Sequence, residues 1–335
     1  MPLITWGFIF IVSLTLLVKG ADWFVESAEK IGLALKISPF IIGVTIIALG
    51  TSLPELASSL VAVFKEATEI VAANVIGSNI ANILLIVGFA ALATKSFLAV
   101  RRSLIDIDLP LLAAVTVLFG FILRDGKITR LEGLLLLLAF LVYLLYTFSQ
   151  RGTGEGRFLP EELPTGEIAE VLPSRIERRK VKTPIEKLNF KVFFFLILGI
   201  IFLAVGANYL IDSVLKLAEI LEIGVSVIAI FAVAVGTSLP ELVVSVRAAA
   251  QKKYEIALGN IFGSNIFNAL VVIGIPSLIK PLLVDNVTFQ IGFPFMVVAT
   301  ILLIISGITR RISIWEGAMF LLIYLLFVVK LFGWF

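Results

Sequence analysis

The sequence predicts an all-α membrane protein of ten transmembrane helices, arranged as two inverted five-helix repeats with helices 2 and 7 broken. Three observations predict it. First, 60% of the 335 residues are hydrophobic and only 15% are charged, with a mean hydropathy of +1.11. Apolar runs of about 20 residues, the length a helix needs to cross hydrocarbon, recur along the whole chain. Second, the halves align without a gap: Gly20, Gly50, Gly77 and Gly88 match Gly206, Gly236, Gly263 and Gly274. Third, each half sets a proline and a glutamate inside an apolar run, as GTSLPEL at 50–56 and again at 236–242. A β-barrel does not fit, because runs such as Leu131–Tyr146 are continuously apolar and do not alternate.

Splitting the runs at charged and Gly/Pro-rich stretches gives spans near 3–28, 38–63, 70–93, 104–123, 131–149, 190–215, 224–248, 256–279, 288–307 and 314–333. The first has no basic leader, and a related segment reappears at Phe193–Val205, so it reads as a retained span and not a signal peptide. The third reads as almost uninterrupted. Five spans per half is an odd number, so the second copy enters the membrane from the opposite side, as in many secondary transporters. Residues 1–150 form the first repeat, 151–189 a cytoplasmic linker and 190–335 the second repeat. With both termini extracellular, 19 of the 27 Lys and Arg residues fall on inner loops and seven on outer ones. The chain therefore reads as an integral membrane protein, placed in the plasma membrane. The basic stretch SRIERRKVK (174–182) suits orientation and attraction to lipid headgroups.

Composition also excludes chemistry. The chain has no cysteine and no histidine, which removes disulfides, thiol redox and the usual ligands of zinc, copper, haem and iron–sulfur clusters. It leaves few routes to an intramembrane enzyme. The net charge of +3 calls for no nucleic acid, and no obligate protein partner or cofactor is evident beyond membrane lipid. Any metal must be a hard cation held by oxygen.

The repeated motifs supply that oxygen. Pro54 and Pro240 cannot donate a backbone hydrogen bond, which frees the carbonyls of Gly50 and Gly236. At bilayer depth such carbonyls need another partner, and a cation is one. Thr51, Ser52 and Glu55, repeated as Thr237, Ser238 and Glu241, add hydroxyls and a carboxylate suited to sodium or calcium. An acid within a span is a functional candidate by default. A second motif, NVIGSNIANIL (74–84) and NIFGSNIFNAL (260–270), places Asn74, Ser78 and Asn82, and their counterparts Asn260, Ser264 and Asn268, on one helix face. Ser78, Ser264, Asn82 and Asn268 read as ligands. Asn74, Asn79, Asn260 and Asn265 read as structural hydrogen-bonding groups.

GTSLPE plus GSNIxN, duplicated in a five-plus-five chain, resembles the cation/calcium antiporter superfamily, most closely its sodium/calcium exchanger branch. The resemblance implies four cation sites between the second, third, seventh and eighth spans. Calcium is then expected on the carboxylates of Glu55 and Glu241 with the carbonyls of Thr51 and Thr237. Sodium sites add Ser52, Ser238, Ser78, Ser264 and the carbonyls of Ala48 and Ala234, with Asn82 and Asn268 lining the middle. It implies exchange of calcium for sodium by alternating access, with the first and sixth spans sliding over the other eight. Potassium-dependent relatives carry Asp where Asn268 stands, and the proton/calcium branch shows Gly-Asn-Ala-x-Glu, so potassium or proton coupling is the weaker alternative. A channel would need a selectivity loop, and none is repeated here.

Protons compete with metal ions for the same two carboxylates. Sodium-driven calcium flux should therefore fall as the medium is taken from neutral to mildly acid pH, measured in reconstituted vesicles. Flux that stays constant over that range contradicts the expectation.

Overall fold

The computed structural model describes residues 2–34, 50–94, 97–100, 108–152 and 189–333. Ala48, the first part of the second expected span and most of the expected linker lie outside the described residues. The architecture is mostly helical. In chain order the helices are α1 (Pro2–Ala34), α2 (Leu53–Phe64), α3 (Glu69–Leu92), α4 (Leu109–Leu123) and α5 (Arg130–Gly152). The second half holds α6 (Phe190–Leu221), α7 (Val225–Thr237), α8 (Leu239–Ala250), α9 (254–279), α10 (Thr288–Ile308) and α11 (Ile314–Leu331). Among the described residues seven helices are long and apolar enough to cross a membrane, or eight if α7 and α8 form one span bent by 47°. α2 and α4 are apolar but shorter, and residues 35–49 and 101–107, which lie shortly before them, are outside the described set.

The prolines explain where α2 and α8 begin. Pro54 and Pro240 sit in the first helical turn, where a missing N–H removes no helical bond. The chain therefore stops and restarts at Ser52 and Ser238, whose ψ angles of 11° and 10° leave the helical range. The third span is less regular than the sequence suggests. Its helix widens into a π-helical turn at Ala81–Ile86, and α9 does the same at Asn268–Val272. Both wide turns fall on the last asparagine of the GSNIxN motif, and such turns gather at functional positions.

α3 and α9 form the centre: 83% of the most apolar window of each is buried, against 17% in α1 and 22% in α6. The outer pair packs mainly on itself. A Cβ on Gly20 would lie 2.8 Å from the Gly199 carbonyl, and one on Gly206 would lie 2.9 Å from that of Ser13. The two helices thus cross backbone to backbone, the close approach that small residues permit in membranes. Trp23 packs beside Phe195 and Phe202 along the same seam.

Contacts between the halves come in exchanged pairs. Strand β1 (Phe97–Ala99) pairs antiparallel with β4 (Arg311–Ser313), while β2 (Lys127–Ile128) pairs with β3 (Leu282–Leu283). β1 corresponds in the alignment to β3, and β2 to β4. Equivalent residues also meet each other: the Asn79 amide donates to the Asn265 carbonyl at 3.2 Å, and further along, where Pro110 and Gly133 match Pro294 and Gly317 at an offset shorter by two, the Thr116 and Thr300 hydroxyls lie 3.4 Å apart. These pairs mark a pseudo-two-fold axis through the centre.

A Cβ on Gly77 would collide with the Ile230 carbonyl and stand 2.7 Å from the Ala234 Cβ; the positions that would face Gly263 in the same way, 44 and 48, lie outside the described residues. Gly77→Ala should therefore cost about 1–3 kcal/mol through forced backbone movement. Thermal unfolding of the purified protein in detergent checks this, and an unchanged midpoint contradicts the packing described.

Candidate cation site

The repeated motif S-x-x-E has the spacing of a helix capping box, in which the serine caps its own helix and the glutamate reaches back to it. Ser313 and Glu316 form such a box at the start of α11. Ser52 and Ser238 stand at the same cap position of α2 and α8, yet neither side chain makes a cap bond. Each hydroxyl reaches into the other half. Ser52 Oγ donates to Glu241 Oε1 at 3.0 Å, and Ser238 Oγ donates to Glu55 Oε1 at 3.1 Å. The alignment exchanges these two bonds, so the two breaks face each other across the pseudo-axis.

Both glutamates are fully buried, each in the first turn of its helix, where the positive end of the helix dipole favours a carboxylate. Ser264 Oγ adds a third donor to the pair, 3.3 Å from Glu241 Oε1. The other oxygen of each acid, Oε2, is buried and has no hydrogen-bond partner among the described residues. Neither has either polar atom of Asn82 nor Oδ1 of Asn268, both also fully buried. Buried oxygens without partners are costly, and a hard cation is the kind of partner that satisfies several oxygens at once. The donor set fits sodium or calcium: carboxylate, amide carbonyl and hydroxyl oxygen, with no sulfur or imidazole.

The remaining expected residues gather at the same place. Ser78 Oγ and Thr237 Oγ1 both point at the Ala234 carbonyl, at 3.5 and 3.4 Å. That carbonyl also accepts from the Ser238 amide at 3.1 Å. Thr51 Oγ1 donates to Asn260 Oδ1 at 3.3 Å, across the halves. Ala48 lies outside the described residues. Among the described residues no group of three or more acidic, histidine or cysteine side chains gathers anywhere, so the cluster holds two carboxylates and neutral oxygen.

Around this cluster lies a shell of asparagines. Asn260 donates to Ser245 Oγ at 3.0 Å and lies 3.5 Å from the Glu241 carbonyl. Asn268 donates to Asn79 Oδ1 at 3.3 Å, and Asn265 donates to the Ile261 carbonyl at 2.7 Å. Asn79, Asn260 and Asn265 thus take the structural role expected of them. For Asn74 and for Ser59 Oγ no hydrogen-bond partner lies among the described residues. Ser245 and its counterpart Ser59 were not singled out in the sequence. The signal that finds them is their position four residues after each glutamate, one helical turn along the same face.

Comparison with known proteins identifies the family. The family model described as sodium/calcium exchanger protein matches residues 5–149 and 191–333. The chain is 35% identical to the sodium/calcium exchanger MaX1 of Methanosarcina acetivorans, over 97% of each. It is 34% identical to the inner membrane protein YrbG of Escherichia coli, over 88% of this chain and 86% of that one. Its fold is similar to a solved structure of the sodium-calcium exchanger NCX_Mj soaked with sodium and strontium, with a TM-score of 0.62, 30% identity and coverage of 98% of this chain and 99% of that chain. Two buried acids shared between duplicated halves and a family match over both halves lead to one conclusion: the chain belongs to the sodium/calcium exchanger protein family.

Proposed function

We propose that this protein exchanges calcium for sodium across the membrane by alternating access, using one cation cluster built jointly by its two halves. The observation that carries the reading is the exchanged pair of bonds Ser52–Glu241 and Ser238–Glu55, which puts two buried acids in one polar pocket. Two ionised carboxylates carry −2. Leaving them without a counter-charge in a dry site costs several kcal/mol per ion even after relaxation. One calcium ion cancels that charge, two sodium ions cancel it, and three sodium ions leave +1. The occluded state is then reachable only when loaded, so the ions exchange and do not leak. If three sodium ions replace one calcium, each cycle moves net charge, worth about 2.3 kcal/mol per 100 mV.

The proposed frame is ten spans in two inverted repeats joined by a cytoplasmic linker, with both termini extracellular in the plasma membrane. The exchanged strand pairs and the contacts between equivalent residues support the duplication. The lipid-facing pair α1 and α6, in contact backbone to backbone, is the part proposed to slide over the central helices. Calcium would be held by Glu55 and Glu241, with Asn82, Asn268 and the serines Ser52, Ser238, Ser78 and Ser264 completing the cluster.

Proteoliposomes loaded with sodium should accumulate calcium when sodium is diluted outside, and replacing sodium with potassium or with a proton gradient should not support uptake. Uptake that needs no trans ion, or that runs on potassium or protons, overturns sodium coupling. Glu55→Gln and Glu241→Gln should each lower calcium exchange by about a hundredfold or more, since each removes half the charge that holds the ion, while the folded protein persists on size-exclusion chromatography.

A further inference from the structure

We propose that Lys65 is a positioning residue that latches one face of the transporter shut and so sets which way the cation cluster faces. The proposal rests on the antiport reading and goes beyond it by locating the energetic bias between the two facing states. Lys65 ends α2, the helix that carries Glu55. Its ammonium lies 2.5 Å from Asp212 Oδ1 and donates to the Asn208 carbonyl at 2.9 Å, both on α6. Asn208 and Asp212 are one turn apart on one helix face. The Lys65 side chain is 21% exposed and that of Asp212 40%, so the pair is shielded from solvent screening on its lysine side only.

The next residue extends the grip. Glu66 adopts a left-handed backbone, φ 64°, and forms an ion pair with Lys280, directly after α9. Two consecutive residues of opposite charge therefore hold α2 to the lipid-facing helix α6 on one side and to the end of the central helix α9 on the other.

The alignment supplies the contrast. Lys65, Glu66, Asn208, Asp212 and Lys280 correspond to Gln251, Lys252, Asp22, Glu26 and Thr94. On that second face the acids of α1 pair within their own helix, Asp22 with Lys19 at 3.3 Å and Glu26 with Lys30 at 2.7 Å. Gln251 has no charge with which to hold them. Identical halves would give the two facing states equal energy. A clamp on one face that the corresponding described residues of the other face do not repeat removes that equality, because α6 must part from α2 for the cluster to open there. An ion whose binding-competent state is only partly populated binds with an apparent affinity reduced by that fraction.

The test is calcium-uptake kinetics in proteoliposomes sorted by orientation, so that each face is assayed separately. Lys65→Gln and Asp212→Asn should each lower the KM for calcium at the latch face by roughly three- to tenfold, the scale of a half-shielded ion pair. Each should raise KM at the opposite face. The exchanged double variant Lys65→Asp with Asp212→Lys should restore both values towards wild type. A purely structural role changes the amount of active protein or moves both KM values together, and it is not rescued by exchange. KM values unchanged at both faces, moved in the same direction, or left unrestored by the exchange overturn the latch. Lys65→Arg, which keeps the charge, should behave as wild type and supplies a folded control. Absence of sodium-driven calcium flux in the wild type is the failure of the antiport reading, whereas normal wild-type flux with unmoved KM values is the failure of the latch alone.

Discussion

The structure depends on one reciprocal interaction: a serine from each half holds the buried glutamate of the other. Each acid needs donors because a carboxylate in a dry interior is costly unless it is bonded and its charge is compensated. Ser52 and Ser238 spend their hydroxyls across the interface and do not cap their own helices; Ser264 adds the one donor that Glu241 takes from its own half. The site therefore exists only when both repeats are docked. The remaining features follow from bringing two breaks face to face at the centre. Prolines start α2 and α8 beside the pocket, wide turns in α3 and α9 fall at the buried Asn82 and Asn268, and Gly77 lets α3 approach the backbone of α7.

The layout separates a rigid part from a looser one. α3 and α9 are buried along most of their length, with interlocked asparagines between them. α1 and α6 bury little and meet each other across glycines, so sliding them disturbs few side chains. Around the cluster, Asn260 closes on Ser245, whereas the equivalent Asn74 and Ser59 have no partner among the described residues.

Much of this was legible in the sequence because membrane physics makes exceptions visible. An acid, a proline and a run of hydroxyls inside apolar spans stand out, and their repetition in register marks them as a pair. The hydrophobic runs located the helices for the same reason. What the sequence did not reveal depends on direction in space. S-x-x-E reads locally as a capping box, and only the docking of the halves turns the serine outward to the opposite acid. The wide turns at Asn82 and Asn268 left no mark in an apolar pattern that stays continuous through them. Asn74 and Asn260 read alike as hydrogen-bonding residues, and among the described residues only Asn260 has a partner. The ion pair of Lys65 with Asp212 joins residues far apart in the chain, with no periodicity to announce it.

The central claim is that Glu55 and Glu241 act as one cation site. Equilibrium calcium titration of the purified protein, carried out on Glu55→Gln, Glu241→Gln and the double variant, tests it most directly. Shared coordination predicts that either single change loses nearly as much affinity as both together, so the two effects are strongly non-additive. Affinity losses that simply add, or calcium binding that survives intact when one glutamate is replaced, would contradict a site shared between the halves.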